Sequence, residues 1–378
     1  MLTAVLREIF RTNLGVRRGE GVLVFSDRPS GREQLDERER DRRARLEDIA
    51  LLAEETARGF TDDVRFLTYP AGGRHGMEPP AKVWRMAFGE RTAAMLEGEG
   101  LLRPLLRKRV SPELTSRAER IIKTNRRRAV DVVLALSNYS TSHTSFRDFL
   151  TRACGARYAS MPLFDIEMFE GPMNVDWRIL RRRTREVARA LRTAETVSVR
   201  APNGTNIEIS RGRRRVHEDN GMLRKPGSFG NLPAGEAFFA PMEGTARGTL
   251  VVEWGPSGRL AEPIVLIVRD GHVSEIVGDD EYGDLLRARV HSRRDNGTIA
   301  EFGVGTNERA TRADNILEAE KILGTVHVAI GDNSTFGGTV KTPFHHDFVL
   351  FRPTVLLTDR MGIQTMLMEN GRFATETL

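Results

Sequence analysis

One cysteine, Cys154, in 378 residues excludes an internal disulfide and any zinc site built from cysteine alone. A metal bound by this chain has to take His, Asp and Glu. Tyrosine is scarce, with four residues and the last at Tyr282, so any site in the final quarter lacks a phenol from its own segment. No run is long and apolar enough to span a membrane. The opening "MLTAVLREIFRTNLG" carries an acidic residue and amphipathic spacing instead of a signal-peptide core, so a cytoplasmic location is expected. Internal repeats and low-complexity linkers are missing. The glycine pair Gly303-x-Gly305 is followed by no "GK[ST]" and no third glycine, which excludes a phosphate loop and a dinucleotide fingerprint.

What is abundant is charge. There are 58 Lys and Arg against 52 Asp and Glu, and the sequence pI is about 9.8. Arginine clusters such as "TNRRRA" and "RILRRRTREVARALR" would neutralise phosphates. Within Trp177–Leu191, however, Ile179, Leu180, Val187, Ala188 and Leu191 recur at helical spacing, so the arginines read as the solvated face of a packed helix. No aromatic interleaving accompanies them, and nucleic acid is not expected as a partner.

Apolar strand-like runs alternate with helical ones up to about residue 192. "GVLVFSD", "DVRFLTYP", "AVDVVLALSNYS" and "ARYASMP" read as strands, and "LEDIALLAEETARG" and "TSFRDFLTRACG" as helices stopped by glycine. The highly charged segment from Arg28 to Glu47 reads as loop-like at its start and joins the first of these helices at its end. His143 reads as a cap for the second, with a reach into a functional site as the other possibility. Beyond residue 192 the rhythm becomes alternating strands around "PNG", "RDG" and similar turns, interrupted by one helix, "DDEYGDLLRARVHS". The predicted fold class is α/β plus α+β. An open α/β sheet domain over residues 1–192 precedes a mainly antiparallel α+β metal-binding catalytic domain over 193–378.

Polar residues interrupt the apolar strands of the second half at four sites. In "FHHDF" the period of two puts His345 and Asp347 on one face and His346 on the other. His327 is the one strongly polar residue of "GTVHVAIG". Glu301 lies between Ala300 and Phe302, and Glu236 precedes an apolar run. A buried carboxylate has to be paired, hydrogen-bonded, metal-bound or protonated. His, Asp and Glu together are the donor set of Zn²⁺, Mn²⁺, Co²⁺ or Fe²⁺. "GDNSTFGG" follows His327 as either an active-site loop or a plain connection.

Several stretches carrying these residues resemble the aminopeptidase T family of metallopeptidases: "GNLPAGEAFFAPMEGTARGTLVV", "IAEFGVGTNERA", "NILEAEKILGTVHVAIGDNSTFGG" and "HHDFVLFRPTVLLTD". The resemblance implies one or two divalent metals (Zn, Co or Mn) held by Glu236, Glu301, His327, His345 and Asp347. It also implies a homodimer and a cytoplasmic hydrolase that releases N-terminal residues from peptides. Metal-activated water would attack the peptide carbonyl, with Glu301 or Glu236 moving the proton. The family's metal-ligating tyrosine has no counterpart between His327 and His345. Without it, His327, His345 and Asp347 form the two-histidine, one-carboxylate set of mononuclear non-haem Fe(II) oxygenases. That set is similar to a ring-cleaving branch, the 2,5-dihydroxypyridine dioxygenases. A non-catalytic binding protein on the same fold is the third reading.

Overall fold

β1 (Val22–Arg28) is buried on both faces for six of its seven residues, as expected for a central strand of a parallel sheet. In a computed structural model of the chain, which describes residues 2–31, 33–255, 258–278 and 281–374, it is an inner strand of a five-stranded sheet, next to the edge strand. Its neighbours are β2 (Val64–Pro70), β3 (Val132–Ala135), β4 (Arg157–Ser160) and β8 (Phe229–Asn231), in the order β2-β1-β3-β4-β8, all parallel. Contacts divide the chain into two compact units, Met1–Asn174 with Gly221–Pro233, and Val175–Asn220 with Ala234–Leu378. The first crossing thus comes before the arginine-rich helix Trp177–Thr193, not after it as the expected boundary near residue 192 had it. The helix's buried Leu180, Val187, Ala188 and Leu191 explain the difference, because the last three join the core of the second unit. Ile179 stays 39% exposed.

The charged segment after β1 starts without helix and becomes helical from Glu37. Asp36 caps this helix by accepting from the Glu39 amide at 2.7 Å, and the helix runs to Arg58. Glu and Arg are good helix formers, and Glu39 with Arg42 three residues on forms an ion pair at 2.6 Å. Arg43 turns inward, fully buried, and bonds Glu33 at 2.7 Å. That pairing, with the Ser30 amide and the Tyr139 hydroxyl, outweighs burial and holds the Glu33 carboxyl down at about 2. The helix after β3 starts at Ser145, capped by the Thr144 hydroxyl and not by His143, and Gly155 ends it in a left-handed conformation.

The second unit is antiparallel. One sheet has eight strands: β5 (Thr196–Arg200), β6 (Asn206–Ser210), β10 (Arg247–Gly255), β11 (Gly258–Arg269), β12 (His272–Val277), β16 (Thr354–Thr358), β17 (Gln364–Glu369) and β18 (Arg372–Phe373). The other has five, in the order β15-β14-β13-β9-β7: β7 (His217–Asp219), β9 (Glu236–Phe239), β13 (Ile299–Gly305), β14 (Val326–Gly331) and β15 (His345–Leu350). Val197, Val199, Leu250 and Leu266 from the first meet Phe239, Phe302, Val328 and Leu350 from the second in one core. The expected helix is present as Glu281–Ser292; the two residues before it lie outside the described ones. Mixed α/β architecture with one parallel and two antiparallel sheets is therefore the fold. Among the described residues no helix is long and apolar enough to cross a membrane.

Candidate metal centre

The five-stranded antiparallel sheet gives one face to the core and keeps the other for chemistry. Phe302 pairs with Val328 and Phe239, and Val328 pairs with Phe348, so these side chains share the core face. One residue further along each strand are Gly303, His327 and Asp347, and they share the opposite face with Glu301, Glu236 and His345. Glu301 reaches that face through a bulge. The register shifts between Ile299 and Glu301, leaving Ala300 unpaired, so Ile299 joins the core while Glu301 points away from it. His346 faces the core side of β15 between Phe344 and Phe348, and its Nε2 meets the Tyr282 hydroxyl.

The five side chains picked out from the sequence converge. His327 Nε2 lies 3.4 Å from Glu236 Oε2 and 3.4 Å from Glu301 Oε1. His345 Nε2 lies 3.5 Å from Glu301 Oε2 and 3.5 Å from Asp347 Oδ1. Among the described residues, two groups of three have ligand atoms mutually within 4.8 Å: Glu236, Glu301 and His327, and Glu301, His345 and Asp347. Glu301 is common to both. The set His327, His345, Asp347, expected for a mononuclear iron site, is not one of the two. His345 is oriented by its Nδ1–H, which donates to the Asp332 carbonyl at 2.8 Å and leaves Nε2 for the cluster.

Electrostatics mark the same place. Burial opposes charge on His327, yet the hydrogen bond of Glu301 and the charge of Glu236 outweigh it and raise the imidazole to about 9. Burial likewise opposes charge on His345, and Asp347 and then Glu301 raise it to about 10. Asp347 is held well below the ordinary carboxylate range, because His345 outweighs its burial. Glu301 moves up, driven by burial. Three carboxylates gathered on two imidazoles ask for positive charge, and a divalent cation supplies it. Among the described residues, buried Glu236 Oε2 and His327 Nδ1 have no hydrogen-bond partner. Oε2, beside His327 Nε2, is thus an unused donor at the cluster. The nitrogen and oxygen donor set fits a divalent metal ion.

Sequence reasoning missed Lys321 and Glu320. The Lys321 ammonium is fully buried and bonds Glu236 Oε1 at 2.9 Å, with Glu320 as its second partner. The charges of Glu236 and Glu320 outweigh burial and hold this lysine ionised far above its usual range. Burial pushes the Glu320 carboxyl up to about 8 against the pull of Lys321. A lysine in "LEAEKILG" looks like a solvated helix residue; only the close approach of that segment to β13 buries it. Gly305 permits this, since a Cβ there would lie 2.1 Å from the Ile322 carbonyl oxygen. The glycine pair Gly303-x-Gly305 therefore serves close packing at the site.

A family model for 2,5-dihydroxypyridine 5,6-dioxygenase (NicX) matches residues 173–373, which contain every residue of this cluster. A curated 2,5-dihydroxypyridine 5,6-dioxygenase of Pseudomonas putida (strain KT2440) is 27% identical over 196 residues, 48% of this chain. The chain spans 56% of the length of that relative. Among solved structures, 2,5-dihydroxypyridine dioxygenase from Pseudomonas putida KT2440 is similar with a TM-score of 0.70 at 20% identity, covering 99% of this chain and 97% of that one. Wild-type AmpT (aminopeptidase T) from Thermus thermophilus is similar with a TM-score of 0.55 at 15% identity, covering 99% of both chains. At these identities the two structures speak for the fold.

The peptidase reading falls here. The aminopeptidase T resemblance holds at the level of the fold, while the family match is to a dioxygenase. The expected hydrolase and protease activity on peptides is therefore corrected. The physical reason lies in the motifs themselves. "GTVHVAIG" and "HHDF" encode two strands and the donors they carry, and one scaffold can serve different chemistries with such donors. The absent tyrosine between His327 and His345 was the departure that pointed away from the peptidases.

Proposed function

Because this chain belongs to the 2,5-dihydroxypyridine 5,6-dioxygenase (NicX) family, we propose that it is a metal-dependent dioxygenase that opens a hydroxylated aromatic ring with O₂. The observation that carries this reading is the convergence of Glu301, His345 and Asp347 within the matched region, with His345 still 26% exposed. Of the two three-residue groups this is the more open one, and a substrate has to reach the metal. In this reading Glu301, His345 and Asp347 hold Fe(II), and Glu236 and His327 stand behind them. Bound iron supplies the one-electron chemistry that lets O₂ react with an electron-rich ring. Both oxygen atoms enter the product as a ring carbon–carbon bond breaks, so no separate reductant is consumed.

The chain's own residues do the rest. The Asp332 carbonyl fixes the His345 tautomer and aims Nε2 at the cluster. Lys321 holds Glu236 Oε1, so Glu236 offers the cluster only Oε2. His327, between Glu236 and Glu301, holds a proton at Nε2 when no cation is near and balances their charge. Substrate hydroxyl protons leave toward this carboxylate–imidazole group, whose members accept them without exposure to bulk water.

The test is oxygen uptake by protein loaded anaerobically with Fe(II) and given 2,5-dihydroxypyridine. With ¹⁸O₂, two labelled atoms are expected in the ring-opened product. No uptake with this or any related hydroxylated pyridine or benzene, at full iron occupancy, would refute the proposal.

A further inference from the structure

Beside the charged cluster, the same sheet face carries aromatic side chains that neither the metal nor the core accounts for. Phe238 follows Glu236 by two residues and so shares its face, and its pairing partner across β13 is Gly303, which fills no space there. On its other side Phe238 pairs with His217 of β7, and the two rings stack at 5.2 Å and 20°. Phe336 arrives from the connection between β14 and β15. It meets Phe238 edge-on at 5.7 Å, His217 at 6.5 Å and His345 at 6.0 Å. The aromatic group is thus continuous with a residue of the metal cluster. Phe238, Phe336 and His217 are all only half-buried.

The loop that presents Phe336 is held in place despite its composition. Asn333 is fully buried, accepts from the Val340 amide at 2.8 Å and donates to Glu243 at 3.0 Å. Asp332 accepts from the Thr342 amide at 3.0 Å. A Cβ on Gly338 would lie 1.9 Å from the Asn333 side chain, so glycine is required where the loop folds back. His217 Nε2–H donates to the Phe336 carbonyl at 3.0 Å and fixes the ring-bearing residue from the far side. Three half-exposed π-surfaces beside ionic ligands are poorly used facing water. They suit a flat, apolar-faced molecule with polar edges.

We propose that Phe238, Phe336 and His217 form the wall on which a planar hydroxylated aromatic ring stacks while its hydroxyl oxygens reach the metal. This rests on the ring-opening reading above and names the residues that select the ring. The wall discriminates by shape, so an aliphatic chelator with the same oxygen donors gains nothing from it.

The experiment is anaerobic titration of the Fe(II)-loaded protein with 2,5-dihydroxypyridine, hydroquinone and the aliphatic chelator acetohydroxamate. Metal content is measured on each sample. Phe336→Leu and Phe238→Leu keep apolar volume and remove the ring. Each is expected to weaken the two aromatic ligands about 3- to 10-fold, with acetohydroxamate affinity and iron content unchanged. Unchanged aromatic affinity in both variants would overturn the proposal, as would equal weakening of all three ligands. So would a wild-type protein that prefers acetohydroxamate to both rings. Aromatic binding that depends on the wall, without oxygen uptake, would leave this assignment standing and remove the dioxygenase reading instead.

Discussion

Gly303→Ala puts the metal centre to its most direct test, because one methyl group acts on one imidazole, His327, that lies directly against a proposed ligand, Glu301. Gly303 pairs with His327 in the β13–β14 ladder, and a Cβ built on it would lie 2.1 Å from His327 Nε2 and 2.2 Å from Cε1. Ordinary contact begins near 3.4 Å, so the imidazole has to retreat by the difference, 3.4 − 2.1 = 1.3 Å. It has little freedom to do so. His327 is fully buried, and its backbone is paired with Gly303 on one side and Val349 on the other. Gly303 is not among the glycines with positive φ, so alanine suits the backbone and the whole effect is steric. Overpacking of this kind costs about 1–3 kcal/mol, offset by about 0.4–1 kcal/mol from a less flexible unfolded chain. The metal centre is far less tolerant: a displaced His327 pushes on Glu301, 3.4 Å away, ligand distances hold to within about 0.2 Å, and a 1 Å misplacement costs roughly 100-fold in rate. The expected result is a folded protein with a modestly lowered Tm, reduced iron per chain and oxygen uptake down about 100-fold. Elemental analysis, thermal unfolding and an oxygen electrode read the three. Iron content and rate within threefold of wild type would refute the placement of His327 against the centre.

Three further outcomes follow from the same geometry. Asp347→Asn should lower metal stoichiometry while the far-ultraviolet circular dichroism and cooperative unfolding stay as in wild type; unchanged metal content would count against Asp347 as a ligand. Lys321→Met removes the cation from between Glu236 and Glu320 and should destabilise the protein by about 3–5 kcal/mol; a denaturant midpoint equal to wild type would show that the pair is not needed. In metal-free protein both site imidazoles lie above their usual 6.5, His327 at about 9 and His345 at about 10. A raised folded value means that their pairing stabilises fully below pH 6.5 and fades as pH climbs through 9 to 10. Metal needs the His345 Nε2 deprotonated and takes over the charge that the His327 proton balances, so the gain in Tm on adding Fe(II) should grow across that window; a gain that is flat or falls with pH would contradict the assignment.

The reading of function from sequence went astray for a physical cause. This chain shares its fold with both an aminopeptidase T and a dihydroxypyridine dioxygenase, and its own donor motifs are written on paired strands, so they report the sheet before they report the reaction. The sequence did carry a warning, the tyrosine missing between His327 and His345. The wall of Phe238, Phe336 and His217 carried none, because isolated aromatics in a β-rich half look like core.

Local rules were enough for much of the molecule. Strand parity alone put His345 with Asp347 and turned His346 to the other side, because side chains alternate by covalent geometry whatever surrounds the strand. Apolar runs broken by helical spacing announced the parallel sheet, and alternating runs with Gly turns announced the antiparallel ones. What needed the tertiary structure was everything that depends on distance along the chain. Glu236, Glu301, His327 and His345 meet only because β9, β13, β14 and β15 pair in one register, and a bulge at Ala300 turns Glu301 to their side. Lys321 becomes a buried counter-ion only because Gly305 lets a separate segment lie against β13. Pairing partners, register and close approach are set by the global packing of the chain, and no window of neighbouring residues contains them.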